Sequence, residues 1–136
     1  MHVRAVGRGE IRRNGEKIAL LSFGSMLKPC LEAAEELNAT VVNMRYVKPL
    51  DDDLVATLAA AHELLVTVEE NTIMGGAGSA VLESLAIQGL PISLLQLGLP
   101  DSFIDQGDSS QMLPDGGLDK TGIVSSVRSR LSESLI

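Results

Sequence analysis

Short apolar runs alternate along the chain with longer stretches in which apolar residues recur every three or four positions. A run of four to eight apolar residues is typical of a buried strand, whereas the longer spacing is typical of a helix that packs one face on a sheet. The chain therefore alternates predicted strands and helices. The runs predict strands over 8–13, 18–23, 40–46, 64–68 and 91–97, and the periodic stretches predict helices over about 25–38, 51–62, 76–89 and 119–135.

Residues at the ends of these helices support the boundaries. Ser25 is a candidate N-cap of the first helix, which we expect to stop near Asn38. Three aspartates, 51–53, load the first turn of the second helix, where negative charge suits the helix dipole. His62 lies where an imidazole can meet free carbonyls, and Gly89 suits the left-handed residue that ends a helix.

Strands that are apolar on both faces and alternate with helices predict a mostly parallel sheet covered on both sides. The predicted architecture is a three-layer α/β/α sandwich. The place of the first strand stays open. Asn14-Gly15 is a two-residue turn signal that would pair this strand with the second in a hairpin, whereas a doubly wound order sends it to an edge beside the third strand.

Composition narrows the function classes. The 136 residues include 11 Lys and Arg against 18 Asp and Glu, for a net charge of -7, and 2% are aromatic. An acidic, aromatic-poor surface argues against nucleic acid as a partner. A single cysteine fits a reducing compartment, and no apolar run approaches the roughly 20 residues that span a bilayer, so we expect a cytoplasmic location and no membrane partner.

The glycine-rich segment 75–81 is the first candidate for chemistry. It resembles the start of a dinucleotide fingerprint, but its third small position is Val81 and it does not follow its strand at once. We favour a helix that begins close to a neighbouring backbone, with amides that meet a carboxylate, a water or another domain. Glu69 and Glu70 point to opposite faces of a strand end, so capping of this turn is favoured over acid/base catalysis.

The remaining reactive side chains form no site. Cys30 lies on the apolar stripe of its helix and is interpreted as an inert, buried thiol. The two histidines and the cysteine are far apart in the sequence, so they form no metal-ligand pattern. The aspartates of the irregular segment 98–117 lack the spacing of a calcium loop; they are Asp101, Asp105, Asp108 and Asp115. The residues alone predict no catalytic, cofactor-binding or metal-binding side chain.

The segment 68–81, which reads VEENTIMGGAGSAV, resembles the C-terminal domain of the transketolase superfamily. Segments 22–25, 45–51 and 97–107 strengthen the resemblance, which covers about residues 8–131. Within the superfamily, the similarity is to the branch that condenses pyruvate with glyceraldehyde 3-phosphate and releases CO2. The resemblance implies a five-stranded sheet whose first strand is antiparallel to the other four, with 1–7 as linker or cloning residues and 132–136 as a tail.

The resemblance also implies a homodimeric parent enzyme that uses thiamine diphosphate and Mg2+, both bound by two preceding domains. The superfamily's metal signature begins Gly-Asp-Gly and ends in Asn, whereas here Gly107-Asp108 is followed by Ser109 and no Asn follows Asn71. We therefore expect no cofactor in this fragment and no activity of the fragment alone.

The role implied for this domain is structural, through packing against the preceding domains and support of the dimer. The alternative is a free-standing module that binds a small ligand or effector in the crevice near Gly24-Ser25 and 75–78. In either case the loop after the third buried strand is the candidate interface or anion contact. Its candidate residues are Glu69, Glu70, Asn71, Gly75, Gly76, Gly78 and Ser79.

Overall fold

The computed structural model describes residues 8–24, 26–45, 50–69, 76–98 and 120–134, and within them strands and helices alternate as predicted. The strands are β1 (Glu10–Arg13), β2 (Ile18–Ser22), β3 (Thr40–Asn43), β4 (Leu64–Glu69) and β5 (Ser93–Gly98). The helices are α1 (Leu27–Leu37), α2 (Asp52–Ala61), α3 (Ala77–Gln88) and α4 (Lys120–Ser134). No helix in these ranges is long and apolar enough to span a lipid bilayer.

One five-stranded sheet organises the described residues, in the order β1-β3-β2-β4-β5. The strands β2 to β5 pair in parallel, and β1 pairs with β3 in the antiparallel sense. The predicted mostly parallel sheet with one antiparallel strand is confirmed. Pairing between β1 and β3 is interrupted by a shift of register between Ile11 and Arg13.

Two apolar cores lie on opposite faces of the sheet, because successive strand residues point to opposite sides. In β2, Ile18 and Leu20 enter one core, whereas Ala19 and Leu21 enter the other. Helices α1 and α4 cover the first core, and α2 and α3 cover the second. This arrangement confirms the three-layer sandwich and explains why β2 and β4 are buried along their whole length.

The ends of the helices agree with the sequence at most positions. Asn38 and Gly89 take the left-handed conformation after α1 and α3, with φ of 55° and 69°. The ring Nδ1 of His62 lies 2.8 Å from the carbonyl oxygen of Leu58, which confirms the cap at the end of α2. The N-cap of α1 is Met26, one residue later than predicted, and Ser25 lies outside the described residues.

The hairpin suggested by Asn14-Gly15 is wrong, because β3 lies between β1 and β2 in the sheet. The segment after β1 crosses the start of β3 to reach β2. The Gly15 amide donates to the hydroxyl of Thr40 at 2.8 Å, and the Glu16 amide donates to the carbonyl oxygen of Asn38 at 3.0 Å. A Cβ on Gly15 would overlap the backbone of Ala39 and approach the Asn38 oxygen to 2.5 Å. Gly15 is thus required for close backbone approach and not for a two-residue turn.

We expect Gly15→Ala to lower the free energy of unfolding by about 1–3 kcal/mol, since the added methyl group forces the crossing segment away from β3. Asn14→Ala is the matched control, because Asn14 is exposed at the adjacent position and no hairpin depends on its side chain. Urea unfolding of both variants checks this. An equal loss for the two variants would mean that the segment acts as a turn after all.

Candidate functional site at the carboxyl edge of the sheet

The four parallel strands end at one side of the sheet, which we call the carboxyl edge. From β2 the chain steps through α1 to β3, then crosses back through α2 to β4 on the other side of β2. The direction of winding therefore reverses next to β2. In open α/β sheets, ligands bind outside the carboxyl ends of the strands at such a reversal. Of the candidate residues, Glu69, Gly76, Gly78 and Ser79 lie at this edge.

Glu69 is the last residue of β4 and is only 7% exposed. One carboxylate oxygen accepts from the Ala77 amide at 3.1 Å, and the other accepts from the Gly78 amide at 2.9 Å. First-turn amides have no partner within their own helix and carry the positive end of its dipole. Glu69 therefore caps α3, as the sequence-based interpretation favoured. An external anion at these two amides would have to displace the carboxylate.

Gly78 allows α3 to lie close to β5. A Cβ at this position would come within 2.9 Å of the Gln96 carboxamide carbon and 3.0 Å of its Cγ. The start of this helix was predicted to approach a neighbouring backbone, whereas the atoms nearest to Gly78 belong to the side chain of Gln96. Glu69 thus holds the start of α3 to the end of β4, and Gly78 lets it lie against Gln96 of β5.

The structure brings together four of the seven candidate residues. Glu69 and Gly78 are buried, while Gly76 at the N-cap position and Ser79 in the first turn are half-buried. Glu70, Asn71 and Gly75 lie outside the described residues, as do the four aspartates of the predicted irregular segment.

Arg45 is a feature of this edge that the sequence reasoning missed. It follows β3 with a φ of 65°, in the left-handed region that residues other than glycine rarely adopt. The residue is half-buried, and within the described ranges its Nε is buried with no hydrogen-bond partner. The buried hydroxyls of Ser22 and Thr67 also lack a partner in these ranges, and both lie in the carboxyl halves of their strands. No sequence pattern signals such a conformation at an arginine.

The described residues do not fit a metal-bound diphosphate. No three potential ligands among their histidine, cysteine, aspartate and glutamate side chains converge to hold a metal ion. The amides best placed for a phosphate, at the start of α3, already bind Glu69. The chemistry available at this part of the edge is therefore internal hydrogen bonding.

A groove lies between α1 and α4, and three charged side chains line it. Glu36 lies 3.0 Å from the guanidinium of Arg128 and 3.6 Å from the ammonium of Lys120. Two residues further along α4, Arg130 donates to the carbonyl oxygen of Leu94 at 3.2 Å. These arginines have partners inside the domain.

Cys30 lies on the core-facing side of α1 and is fully buried, as predicted. Burial disfavours the thiolate and raises the pKa of the Cys30 thiol from 9.0 to about 12. Because the thiolate is the reactive form, this cysteine is inert at neutral pH in the folded chain.

We expect Glu69→Gln to lower the free energy of unfolding by about 1.5–3 kcal/mol, since the amide supplies one acceptor where the carboxylate supplies two charged ones. Hydrogen exchange at the Ala77 and Gly78 amides is expected to become faster. Glu83→Gln on the exposed side of α3 removes the same charge and serves as the control. Unchanged exchange at both amides in Glu69→Gln would contradict the capping role.

We expect Cys30 to react with a thiol reagent at pH 8 only as fast as the chain unfolds. Its contribution to stability falls as the pH rises from 9 toward 12, because the unfolded thiol loses its proton in that range while the folded thiol keeps it. The slope is about 1.4 kcal/mol per pH unit. Urea titrations of the chain and of Cys30→Ala at pH 8.5 and 10.5 measure the difference, and equal pH dependence in the two would refute it.

Residues 7–123 match the family model described as "Transketolase, C-terminal domain". The chain is 74% identical over 132 residues to the 1-deoxy-D-xylulose-5-phosphate synthase of Nitrosomonas eutropha, and 73% identical over 130 residues to that of Nitrosospira multiformis. These alignments cover 97% and 96% of the chain but only 22% and 21% of the two synthases.

A solved structure gives the same result. A chain described as a split gene transketolase, in an inactive β4 tetramer, superposes with a TM-score of 0.82 at 32% identity, covering 95% of this chain and 43% of the other. The chain spans about a fifth of the length of the curated synthases that it matches. The family match over most of the chain and the shared fold lead to one conclusion: the chain belongs to the transketolase C-terminal domain family.

Proposed function

We propose that this chain acts as the C-terminal domain of a 1-deoxy-D-xylulose-5-phosphate synthase and that its own role is structural. The observation that carries the proposal is the identity of 73–74% with two such synthases along nearly the whole chain. The parent enzyme condenses pyruvate with glyceraldehyde 3-phosphate, forming 1-deoxy-D-xylulose 5-phosphate and CO2. Its product feeds isoprenoid and thiamine biosynthesis in the cytoplasm.

In this proposal, thiamine diphosphate and Mg2+ are held by the parts of the parent that precede this domain. The separation is supported by the described residues, which offer neither a cluster of metal ligands nor free amides at the start of α3. The domain packs against those preceding parts and supports a homodimer. A related split gene transketolase, described as a β4 tetramer, gives indirect support for assembly between chains.

The interface role is assigned to the loop that begins at Glu69 and ends in the first turn of α3, with Glu69, Glu70, Asn71, Gly75, Gly76, Gly78 and Ser79. The two hydrogen bonds that Glu69 accepts from the amides of α3 favour contact with another protein surface over binding of a free anion. The same hydrogen bonds disfavour the free-standing ligand-binding module, because that module needs open amides in this crevice.

The first test uses the chain as it is. We expect no turnover of pyruvate and no heat of specific binding when the chain is titrated with thiamine diphosphate and Mg2+. Micromolar affinity for the cofactor would contradict the separation of roles. Thermal unfolding in the presence of phosphorylated metabolites is the companion measurement, because a ligand at a hundred times its Kd stabilises by about 2.7 kcal/mol.

The second test asks whether the chain completes an enzyme. In a chimera, this chain replaces the 132-residue region of the Nitrosomonas eutropha synthase that it matches. We expect the chimera to be a dimer and to form 1-deoxy-D-xylulose 5-phosphate. The truncated synthase without this region is the control. A folded chimera that makes no product would refute the proposed function.

A further inference from the structure

Asn14-Gly15, the dipeptide behind the hairpin prediction, is also a chemically reactive sequence. It begins the segment 14–17 that leads from β1 to β2, which we call the crossing segment. Asparagine is among the thermolabile residues, because the backbone nitrogen of the next residue can attack its side-chain carbonyl carbon. A glycine in that next position has no side chain to hinder the attack. Asn14 is exposed, so the reaction depends on the freedom of the Gly15 nitrogen.

The reaction is a deamidation in two steps. The Gly15 nitrogen forms a bond to Cγ of Asn14, its proton passes to the departing amide nitrogen, and ammonia leaves a succinimide ring behind. Water then opens the ring. Hydrolysis of the bond from the nitrogen to Cγ gives aspartate, whereas hydrolysis of its bond to the backbone carbonyl carbon gives isoaspartate, whose main chain is longer by a methylene group. Water is the only co-reactant.

The folded chain holds the Gly15 nitrogen in place. Its amide donates to the hydroxyl of Thr40 at 2.8 Å, and the Glu16 amide donates to the carbonyl oxygen of Asn38 at 3.0 Å. The Gly15 backbone also lies so close to the start of β3 that no Cβ fits there. Ring closure requires this nitrogen to give up its proton and turn toward Asn14, which breaks the hydrogen bond to Thr40. The reaction therefore needs the crossing segment to open.

Thr40 is itself fixed by His62. Thr40 is 2% exposed, and its hydroxyl lies 2.8 Å from Nε2 of His62, while Nδ1 of the same ring lies 2.8 Å from the carbonyl oxygen of Leu58. A carbonyl oxygen can only accept, so Nδ1 carries the proton, and in the neutral ring Nε2 accepts from the Thr40 hydroxyl. The hydroxyl thus directs its proton to His62 and keeps a lone pair for the Gly15 amide. This chain of hydrogen bonds anchors the crossing segment to the end of α2.

We propose that Asn14-Gly15 is a latent deamidation site, which the hydrogen bond from Gly15 to Thr40 keeps unreactive in the folded chain. Modification then proceeds through local opening of the crossing segment, so its rate is the open fraction multiplied by the rate in a free chain. An isoaspartate formed there holds the segment open, because its longer main chain displaces the Gly15 and Glu16 amides from their acceptors. The inference concerns the chemical lifetime of the domain and is independent of the proposed function.

The experiment measures deamidation at Asn14 by peptide mapping and mass spectrometry, in the folded chain and in the same chain unfolded in urea at the same pH. We expect the folded chain to react more slowly by a factor of at least about ten. Thr40→Val removes the acceptor and is expected to raise the rate in the folded chain about tenfold, since a buried amide without an acceptor favours opening. Thr57→Val is the matched control, because its hydroxyl donates to the carbonyl oxygen of Asp53 on exposed α2.

Equal rates in the folded and the unfolded chain would overturn the inference, and this comparison needs no variant to fold. An unchanged rate in folded Thr40→Val, or an equal rise in Thr57→Val, would also overturn it, because the hydrogen bond to Thr40 would then not be the restraint. Hydrogen exchange separates local from complete unfolding. We expect the Gly15 amide to exchange faster than the amides of β4, and equal protection would contradict local opening of the crossing segment.

Discussion

The carboxylate of Glu69 binds the first turn of α3 through both oxygens, and the character of the carboxyl edge depends on this contact. In many α/β proteins the same place in the topology, a helix start beside a reversal of strand order, is left open for a phosphate. Here the anion is part of the protein. The helix dipole is compensated from within, so the amides of Ala77 and Gly78 are not open to an external anion.

This internal capping fits a domain that contributes surface instead of chemistry. Three other reactive groups in the described ranges are similarly occupied or shielded. Cys30 is held as a neutral thiol by the core, His62 lies between Leu58 and Thr40, and Glu36 binds two cations between α1 and α4. Such contacts stabilise the sandwich.

Much of the fold was predictable because burial determines the spacing of apolar residues along each strand and helix and the length of each apolar run. The apolar runs of β2 and β4 can be buried only between two helical layers, and Asn38 and Gly89 end helices through conformations that their residue types favour. Glu69 was recognisable because a carboxylate precedes a glycine-rich helix start. The hairpin prediction at Gly15 was wrong because a two-residue turn and a close backbone crossing both favour glycine. Arg45 was missed because its conformation and burial arise from tertiary packing, which no local pattern encodes.

The shift of register within β1 has a consequence for how copies of the domain can meet. An outer strand with regular pairing presents a row of amides and carbonyls that another strand can extend. Between Ile11 and Arg13 that row is interrupted, and such an irregularity bends the strand and increases its local twist. This irregularity therefore disfavours extension of the sheet by another strand on this side.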